Sequence, residues 1–449
     1  MARPSFYHSP ASPVGSPSVD PEDLNYEVSS EQLGVLNYRP HPRWRQGLAV
    51  GLAVFALQAA RTALRGSAHF EALPKRPPVL APVSSLNQLR SVEPILAHID
   101  GAATLPMHAS LGTPALPTLG AYLRSVPSIG AVIRSALSAT GYLRLAYARF
   151  LERFILAHGL VHEAERLLRA IEPAFVLLSN DHSLLNRAML HAAKSIGIPT
   201  GYVQHAAVTK GFPPLGFDVA FLDGLDALEK YDLPGSSGCT VFLTGMAKSD
   251  EARRRARPRD GVSVLGLALN PLDRPEAVIA FVTELRSLAP DLAIVARPHP
   301  SDARDWDALL PGLERSDPRT ESPFAFLDRV DALVCGPSSI ALEAALVGVL
   351  PLTADFDGRG VDHYGFVGSG LVRKVEDAGQ ALAVLKGHGG PPSEELLRRY
   401  SATVGTSYDG RSAELVAELV MEHVGGGIDT SRWHPVAGVR HVEAYELAA

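Results

Sequence analysis

Cysteine is almost absent from this chain of 449 residues, in which Cys239 and Cys335 are the only two. Two cysteines exclude a disulfide framework and a cysteine-rich zinc site, and their scarcity is typical of a reducing compartment. Aromatic residues make up only 7%, and the formal net charge of -6 is small for this length. So balanced a charge gives no broad basic surface, and nucleic acid is not an expected partner. We therefore expect a cytoplasmic protein.

Long apolar runs are scarce as well, and no secretory signal is expected from the early Pro, Ser and acidic residues. The longest apolar stretch, Gly47 to Leu64, is interrupted by Gln58 and Arg61 and is shorter than the ~20 residues of a membrane span. It is interpreted first as a helix packed on the first domain. The alternative is an interfacial helix that gives peripheral contact with the inner face of the cell membrane. A true span is the weakest interpretation.

The length fits two domains with extensions, since a single core rarely organises so many residues. The Pro- and Ser-rich N-terminus and the glycine-led C-terminus predict poorly ordered ends. The predicted organisation is a disordered arm over 1–45, an apolar helix over 46–76, a first domain over 77–240, a second domain over 241–392, a closing helix over 393–423 and a tail over 424–449.

Between these ends, strand-like and helix-like segments alternate, which predicts an α/β fold. Thr200 to Val203, Leu292 to Ala296 and Ala332 to Cys335 are apolar runs of strand length, and helical patterns separate them. Such alternation favours parallel sheets with right-handed crossovers. We expect two facing Rossmann-like domains with the active site in the cleft between them, because ligands bind beyond the carboxyl ends of parallel strands.

Two segments at predicted strand ends of the second domain are candidates for binding phosphate. The first is Arg297-Pro298-His299-Pro300, a rigid loop with two side chains that donate charge-assisted hydrogen bonds. The second is Gly336-Pro337-Ser338-Ser339, which opens a predicted helix. Glu343, one turn further on, could accept hydrogen bonds from ribose hydroxyls. Purely structural interpretations stay open. The first segment could be a stiff turn, the second could be a helix cap, and Glu343 could be a surface glutamate.

Polar residues also follow three predicted strands of the first domain. His205 comes after Val203 and Gln204, and a histidine there could deprotonate an acceptor hydroxyl. Asp181 and Asp223 are two further candidates for this general base. The structural alternatives are a buried core histidine for His205 and a helix cap for Asp181. Gln204 is assigned to the acceptor side. No metal site is expected, because Asp355-Phe356-Asp357 is a single acidic motif in a glycine-rich loop.

The order of these motifs resembles GT-B-type glycosyltransferases of bacterial surface and capsular polysaccharide synthesis. It is most similar to bacterial sialyl- and polysialyltransferases and to CDP-glycerol glycerophosphotransferases. The residues that carry the resemblance are His299-Pro300, Ser338-Ser339 and Gln204-His205-Ala206, where Ala206 replaces the usual glycine. The acidic base motif of sialyltransferases is half present, as Leu222-Asp223-Gly224.

The resemblance implies a metal-independent glycosyltransferase without a cofactor, whose donor sugar is linked to CMP, CDP or UDP. The donor would contact Arg297, His299, Pro300 and the serine pair, and the acceptor would be a glycan or glycolipid. The sugar would be sialic acid or a related one. A UDP-sugar 2-epimerase, a CDP-glycerol-type transferase and a non-catalytic nucleotide-binding protein remain as alternatives.

Overall fold

A computed structural model describes residues 19–33, 47–65, 75–234, 238–256, 261–387 and 392–447. Its strands are β1 Leu80–Val83, β2 Ala103–Pro106, β3 Val176–Leu178, β4 Thr200–Val203, β5 Val219–Leu222, β6 Thr240–Leu243, β7 Val264–Ala268, β8 Ala293–Arg297, β9 Glu314–Arg315, β10 Ala332–Cys335, β11 Leu350–Thr353, β12 Arg373–Lys374, β13 Trp433–Pro435 and β14 Glu443–Leu447. They form two sheets, in the orders β13-β14-β6-β5-β4-β3-β1-β2 and β12-β11-β10-β7-β8-β9. All neighbouring strands run parallel except β13 and β14.

Helices cover the sheets. They are α1 Pro21–Leu24, α2 Tyr26–Ser29, α3 Leu48–Arg65, α4 Leu86–Leu96, α5 Leu119–Ser125, α6 Ile129–Ser138, α7 Gly141–Ile171, α8 Leu184–Ser195, α9 Leu225–Asp232, α10 Asp250–Arg255, α11 Pro275–Leu288, α12 Trp306–Leu309, α13 Pro323–Asp328, α14 Ile340–Leu346, α15 Ala378–Lys386, α16 Glu394–Tyr400 and α17 Ser412–Val424. The predicted α/β architecture with two parallel sheets is confirmed. The central strands β1, β3, β4, β5 and β10 are buried throughout, as their continuous apolar sequences require.

The N-terminal arm was predicted to be disordered, and this is wrong for residues 19–33. Asp20 caps α1 by accepting from two backbone N–H groups, and Leu24, Val28 and Leu33 are buried. Glu22 accepts a hydrogen bond of 2.9 Å from the Tyr147 hydroxyl on α7. This stretch, named here the strap, is therefore a folded part of the first domain, because three of its apolar residues are buried.

The C-terminal segment also departs from the prediction. The expected closing helix is split into α16 and α17 by a stretch in which Gly405 and Gly410 adopt positive φ angles that break a helix. The expected tail forms β13 and β14, and β14 extends the first sheet by pairing with β6. Trp433 packs edge-on against Phe242 of β6. Since β6 spans 240–243, the first sheet also continues past the predicted domain boundary at 240.

The apolar segment preceding the first domain forms α3, which packs on α7. Only Gly51, Phe55 and Thr62 of α3 are buried. A side chain at Gly51 would approach Leu151 of α7 within 2.5 Å, so glycine permits this close packing. Among the described residues, α3 is the one helix whose length and composition would allow it to cross a membrane, a test that core helices of soluble proteins and signal sequences also pass.

We predict that Leu24→Ala lowers the free energy of unfolding by about 2–4 kcal/mol, because it leaves a cavity beneath the strap. The measurement is chemical denaturation of the full chain. Leu233→Ala is the control, since Leu233 is 61% exposed and its loss should cost less than about 0.5 kcal/mol. Equal, small effects of the two substitutions would mean that the strap does not pack as described.

Candidate functional site

Lys248 joins the two domains where the carboxyl ends of both sheets meet. It lies on the short 3-10 turn Ala247–Ser249 that follows β6. Its ammonium donates to the His205 carbonyl at 3.1 Å and to Glu343 Oε1 at 2.6 Å. The side chains of Lys248 and Glu343 are 6% and 8% exposed, so this is a buried ion pair across the cleft. Glu343 was expected to bind ribose hydroxyls, but its carboxylate pairs here with Lys248, a residue that no sequence motif indicated.

On the first-domain side, Asp181 and His182 form a hydrogen-bonded pair after β3. Asp181 Oδ1 lies 2.7 Å from His182 Nδ1, and Asp181 Oδ2 accepts from the Tyr231 hydroxyl at 2.7 Å. The amide of Asn180 is 3.4 Å from His182 Nε2. Neutral His182 therefore carries its proton on Nδ1, and its Nε2 lone pair faces the Asn180 amide as the acceptor of a long hydrogen bond. Asp181 was the residue expected from the sequence, and the structure pairs it with the adjacent His182, a second titratable group.

The pair shifts the pKa values of both groups. Burial alone would lower the pKa of His182, but the hydrogen bond to Asp181 and the charge of that carboxylate outweigh it and raise the pKa above 6.5. Burial would raise the pKa of Asp181, and its bonds to His182 and Tyr231 more than offset this, so the carboxyl stays ionised at neutral pH. The result is an imidazole that holds a proton more strongly than an isolated histidine does.

The strap holds the backbone of this pair in place. The Glu27 N–H donates to the His182 carbonyl at 3.1 Å. Arg187 donates to the Asp181 carbonyl at 2.8 Å, and its other terminal nitrogen is bonded to Asp23 of the strap. The orientation of His182 therefore depends on a segment more than 150 residues away in sequence.

The other first-domain candidates have different environments. Burial, together with the charges of His182 and Lys248, lowers the pKa of His205 to about 3, so this ring is neutral. Its Nδ1 is buried without a partner, and its ring centroid is 6.5 Å from that of His182. Burial raises the pKa of Asp223 well above its usual range. Gln204 bonds to the Ala206 carbonyl and to the Asp223 N–H, so its amide is used internally.

On the second-domain side, His299 and the serine pair present free hydrogen-bonding groups. His299 Nδ1 accepts from the Ser301 N–H at 3.2 Å, which leaves the proton of the neutral ring on exposed Nε2. Pro300 beside it is also exposed. Ser338 and Ser339 are half-buried, and neither hydroxyl has a hydrogen-bond partner among the described residues. These three residues are available to a ligand.

Arg297 does not have the role that the sequence suggested. It is 5% exposed, and its guanidinium donates to Ser316 Oγ at 2.5 Å and to the Glu321 carbonyl at 2.9 Å. It also lies over the Phe326 ring. These contacts anchor the loop after β9, so Arg297 organises the edge of the sheet and does not present its charge to the cleft.

Asp273, in the loop after β7, was missed from the sequence. It is 2% exposed, and its Oδ2 accepts from the Asn270 N–H at 2.7 Å while its Oδ1 has no partner. Burial raises its pKa to about 7. A side chain at Gly336 would come within 2.6 Å of that oxygen, which explains the glycine there. A buried carboxyl with an unused oxygen costs stability and calls for a functional explanation.

Two adjoining cavities open at these strand ends. One, of about 220 Å³, is lined by Gly336, Ser338 and Tyr364 among others, and the second, of about 300 Å³, is lined by Asp273. Both share Pro337, Val361 and His363. Within the described ranges, no three His, Cys, Asp or Glu side chains come together as metal ligands would.

We predict that Asp273→Asn removes part of the pH dependence of stability. The folded pKa of about 7 exceeds the unfolded value of about 3.9. The stability contributed by this group is therefore complete below pH 4 and lost as the pH rises through 7. At pH 8 the variant should be more stable than the wild type, by on the order of 4 kcal/mol. Urea denaturation at several pH values measures this. The exposed Asp291→Asn is the control, and equal slopes for Asp273→Asn and wild type would contradict the assignment.

Comparison with known proteins gives the fold. No family model and no curated protein matches this sequence. Among solved structures, a Listeria monocytogenes protein assigned as a UDP-N-acetylglucosamine 2-epimerase superposes with a TM-score of 0.50 at 14% identity, covering 77% of this chain and 96% of the other. The wall teichoic acid polymerase TagF (TM-score 0.44, 10% identity, 84% and 98% covered) and MurG of Acinetobacter baumannii (0.43, 11%, 78% and 100%) are further matches. At such identities the likeness concerns the fold alone, and the chain has the GT-B-type fold of two Rossmann-like domains.

Proposed function

We propose that this chain is a glycosyltransferase that moves a sugar from a nucleotide-activated donor to a hydroxyl of a growing surface glycan or glycolipid. One observation carries the proposal. The buried Lys248–Glu343 pair brings the carboxyl ends of the two sheets together, and we assign the oriented base on one domain and the unpartnered hydroxyls on the other to the cleft between them. That arrangement suits a reaction between two separately bound substrates.

The donor belongs to the second domain in this proposal. The hydroxyls of Ser338 and Ser339 and the Nε2–H of His299 are uncharged donors suited to phosphate oxygens. The adjoining cavities, with Tyr364 on their wall, suit the nucleoside. The resemblance of the serine and His-Pro motifs to sialyltransferases supports CMP, CDP or UDP as the nucleotide and sialic acid or a related sugar as the transferred group. Gly336 and Pro300 shape the backbone beside these donors.

The acceptor belongs to the first domain. Its hydroxyl oxygen attacks the anomeric carbon, the bond from that carbon to the donor phosphate breaks, and the nucleotide leaves with the electron pair. His182 Nε2 takes the hydroxyl proton, and Asp181 stabilises the imidazolium that results. We assign His205, a neutral ring whose centroid is 6.5 Å from that of His182, to the acceptor side of the cleft. Asp223 and Gln204 support the loops behind these residues.

We also propose that the transfer needs no metal ion. The protein would act at the inner face of the cell membrane. Hydrogen-bond donors aimed at the leaving phosphate can stabilise its developing charge without a cation. Purified protein should therefore retain its transfer rate in excess EDTA. Loss of activity in EDTA, restored by Mg²⁺ or Mn²⁺, would contradict metal-independent transfer.

Alternative functions on the same fold make different products. A UDP-sugar 2-epimerase needs no acceptor, so epimerised UDP-sugar formed without acceptor would replace the transferase assignment. A CDP-glycerol-type transferase would transfer glycerol phosphate from CDP-glycerol. A non-catalytic protein would bind nucleotide and turn over no donor. Incubation with CMP-, CDP- and UDP-linked donors, with and without acceptor, separates these four outcomes.

We predict that His182→Ala lowers kcat by about 10²–10⁴-fold, because proton removal from the acceptor loses its base. Nucleotide binding, measured as the ligand-induced rise in melting temperature, should remain. The exposed His98→Ala on the same domain is the control and should leave both quantities unchanged. In the wild type, kcat should fall on the acidic side with an apparent pKa above 6.5. Wild-type activity in His182→Ala would exclude this residue as the base.

A further inference from the structure

One outer layer of the first domain consists of α3 and the stretch from Leu119 to Ser138. Both pack on α7 and touch each other, where the rings of Phe55 and Tyr122 lie 5.3 Å apart. Gly159 of α7 permits a similarly close approach by α5, since a side chain there would overlap the Ala121 carbonyl. Because both elements bury one side against α7, their opposite sides face outward together.

The stretch from Leu119 to Ser138 behaves as one helix on its outer side. The residues that link α5, the short turn Val126–Ser128 and α6 all have right-handed helical backbone angles. Leu119, Leu123, Val126 and Leu137 follow at helical spacing, and they are between 38% and 72% exposed. Large apolar side chains at such spacing normally face a core, so their exposure calls for a partner.

The outer side of α3 continues this apolar surface. Leu57 is 50% and Leu64 is 90% exposed. The residues between and before them on the same side are small alanines, namely Ala49, Ala53, Ala56 and Ala60. We name the outward side of α3 and of Leu119 to Ser138 the outer helical face.

The charge of this face has one sign. Leu48 to Arg65 and Leu119 to Ser138 contain no Asp or Glu, although the whole chain has a net charge of -6. They contain Arg61, Arg65, Arg124 and Arg134. Arg124 pairs with Glu163 of α7, whereas the other three are exposed and form no ion pair with a described residue. Exposed leucines among unpaired arginines suit a surface that is both apolar and anionic.

We propose that the outer helical face docks this protein on the surface of an anionic lipid bilayer. The leucines enter the headgroup boundary and the arginines contact lipid phosphates. The helix α3 lies in the plane of the membrane, because crossing it would strip Phe55 and Gly51 from α7. A second copy of the chain is disfavoured as the occupant, since a symmetric contact would oppose arginine to arginine. The inference does not depend on the proposed reaction, because docking is measured without donor.

The test is co-sedimentation of the full chain with vesicles of phosphatidylcholine alone or mixed with phosphatidylglycerol. The wild type should bind the mixed vesicles and not the neutral ones, and binding should weaken at high salt. The double variant Arg61→Gln/Arg134→Gln should bind about 30-fold more weakly, as expected for two interfacial arginines. Leu64→Ser/Leu123→Ser should also weaken binding.

The matched control is Arg286→Gln/Leu288→Ser on α11 of the second domain, where Arg286 is exposed and Leu288 is 48% exposed. It should bind as the wild type does, and denaturation midpoints verify that each variant is folded.

Docking is contradicted if the wild type does not sediment with anionic vesicles, or if the control loses as much binding as the variants. A dimer in solution that Leu64→Ser/Leu123→Ser abolishes would assign the face to a second copy and overturn the proposal. Unchanged transfer to a water-soluble acceptor in these variants separates docking from the proposed reaction.

Discussion

The ion pair between the Lys248 ammonium and the Glu343 carboxylate fixes the two domains relative to each other. Both groups are almost buried, so removing either partner would leave an isolated charge and cost about 3–5 kcal/mol. Because Lys248 also holds the His205 carbonyl, the end of β4 and the start of α14 are tied to a single ammonium group.

The candidate base is held from the opposite side, by the strap. Glu27 and the Asp23–Arg187 pair fix the backbone of Asp181 and His182, while Tyr231 fixes the carboxylate. An imidazole oriented through its Nδ1 keeps its Nε2 directed at one position, which lowers the reorganisation needed when a proton is transferred. His205 and Asp273 each bury a polar atom without a hydrogen-bond partner, one in each domain.

The sequence was informative where the signal is local. Continuous apolar runs gave the buried strands, and their carboxyl ends led to Asp181, His205, His299 and Ser338. It failed where partners are distant. The strap looked disordered because its buried leucines stand among polar residues whose partners lie on α7 and α8. In the same way, Arg297 looked like a phosphate ligand because its bonds to Ser316 and Glu321 leave no trace in the sequence.

The proposed reaction requires a nucleotide on the second-domain side of the cleft. The most direct measurement is photo-crosslinking of the full chain with a 5-azidopyrimidine nucleoside diphosphate, followed by mass spectrometry of the labelled peptides. The account predicts labels on the loops after β10 and β11, within 336–339 and 353–366, and their loss when unlabelled nucleotide competes. Labelling confined to the first domain, or unaffected by the competitor, would contradict it.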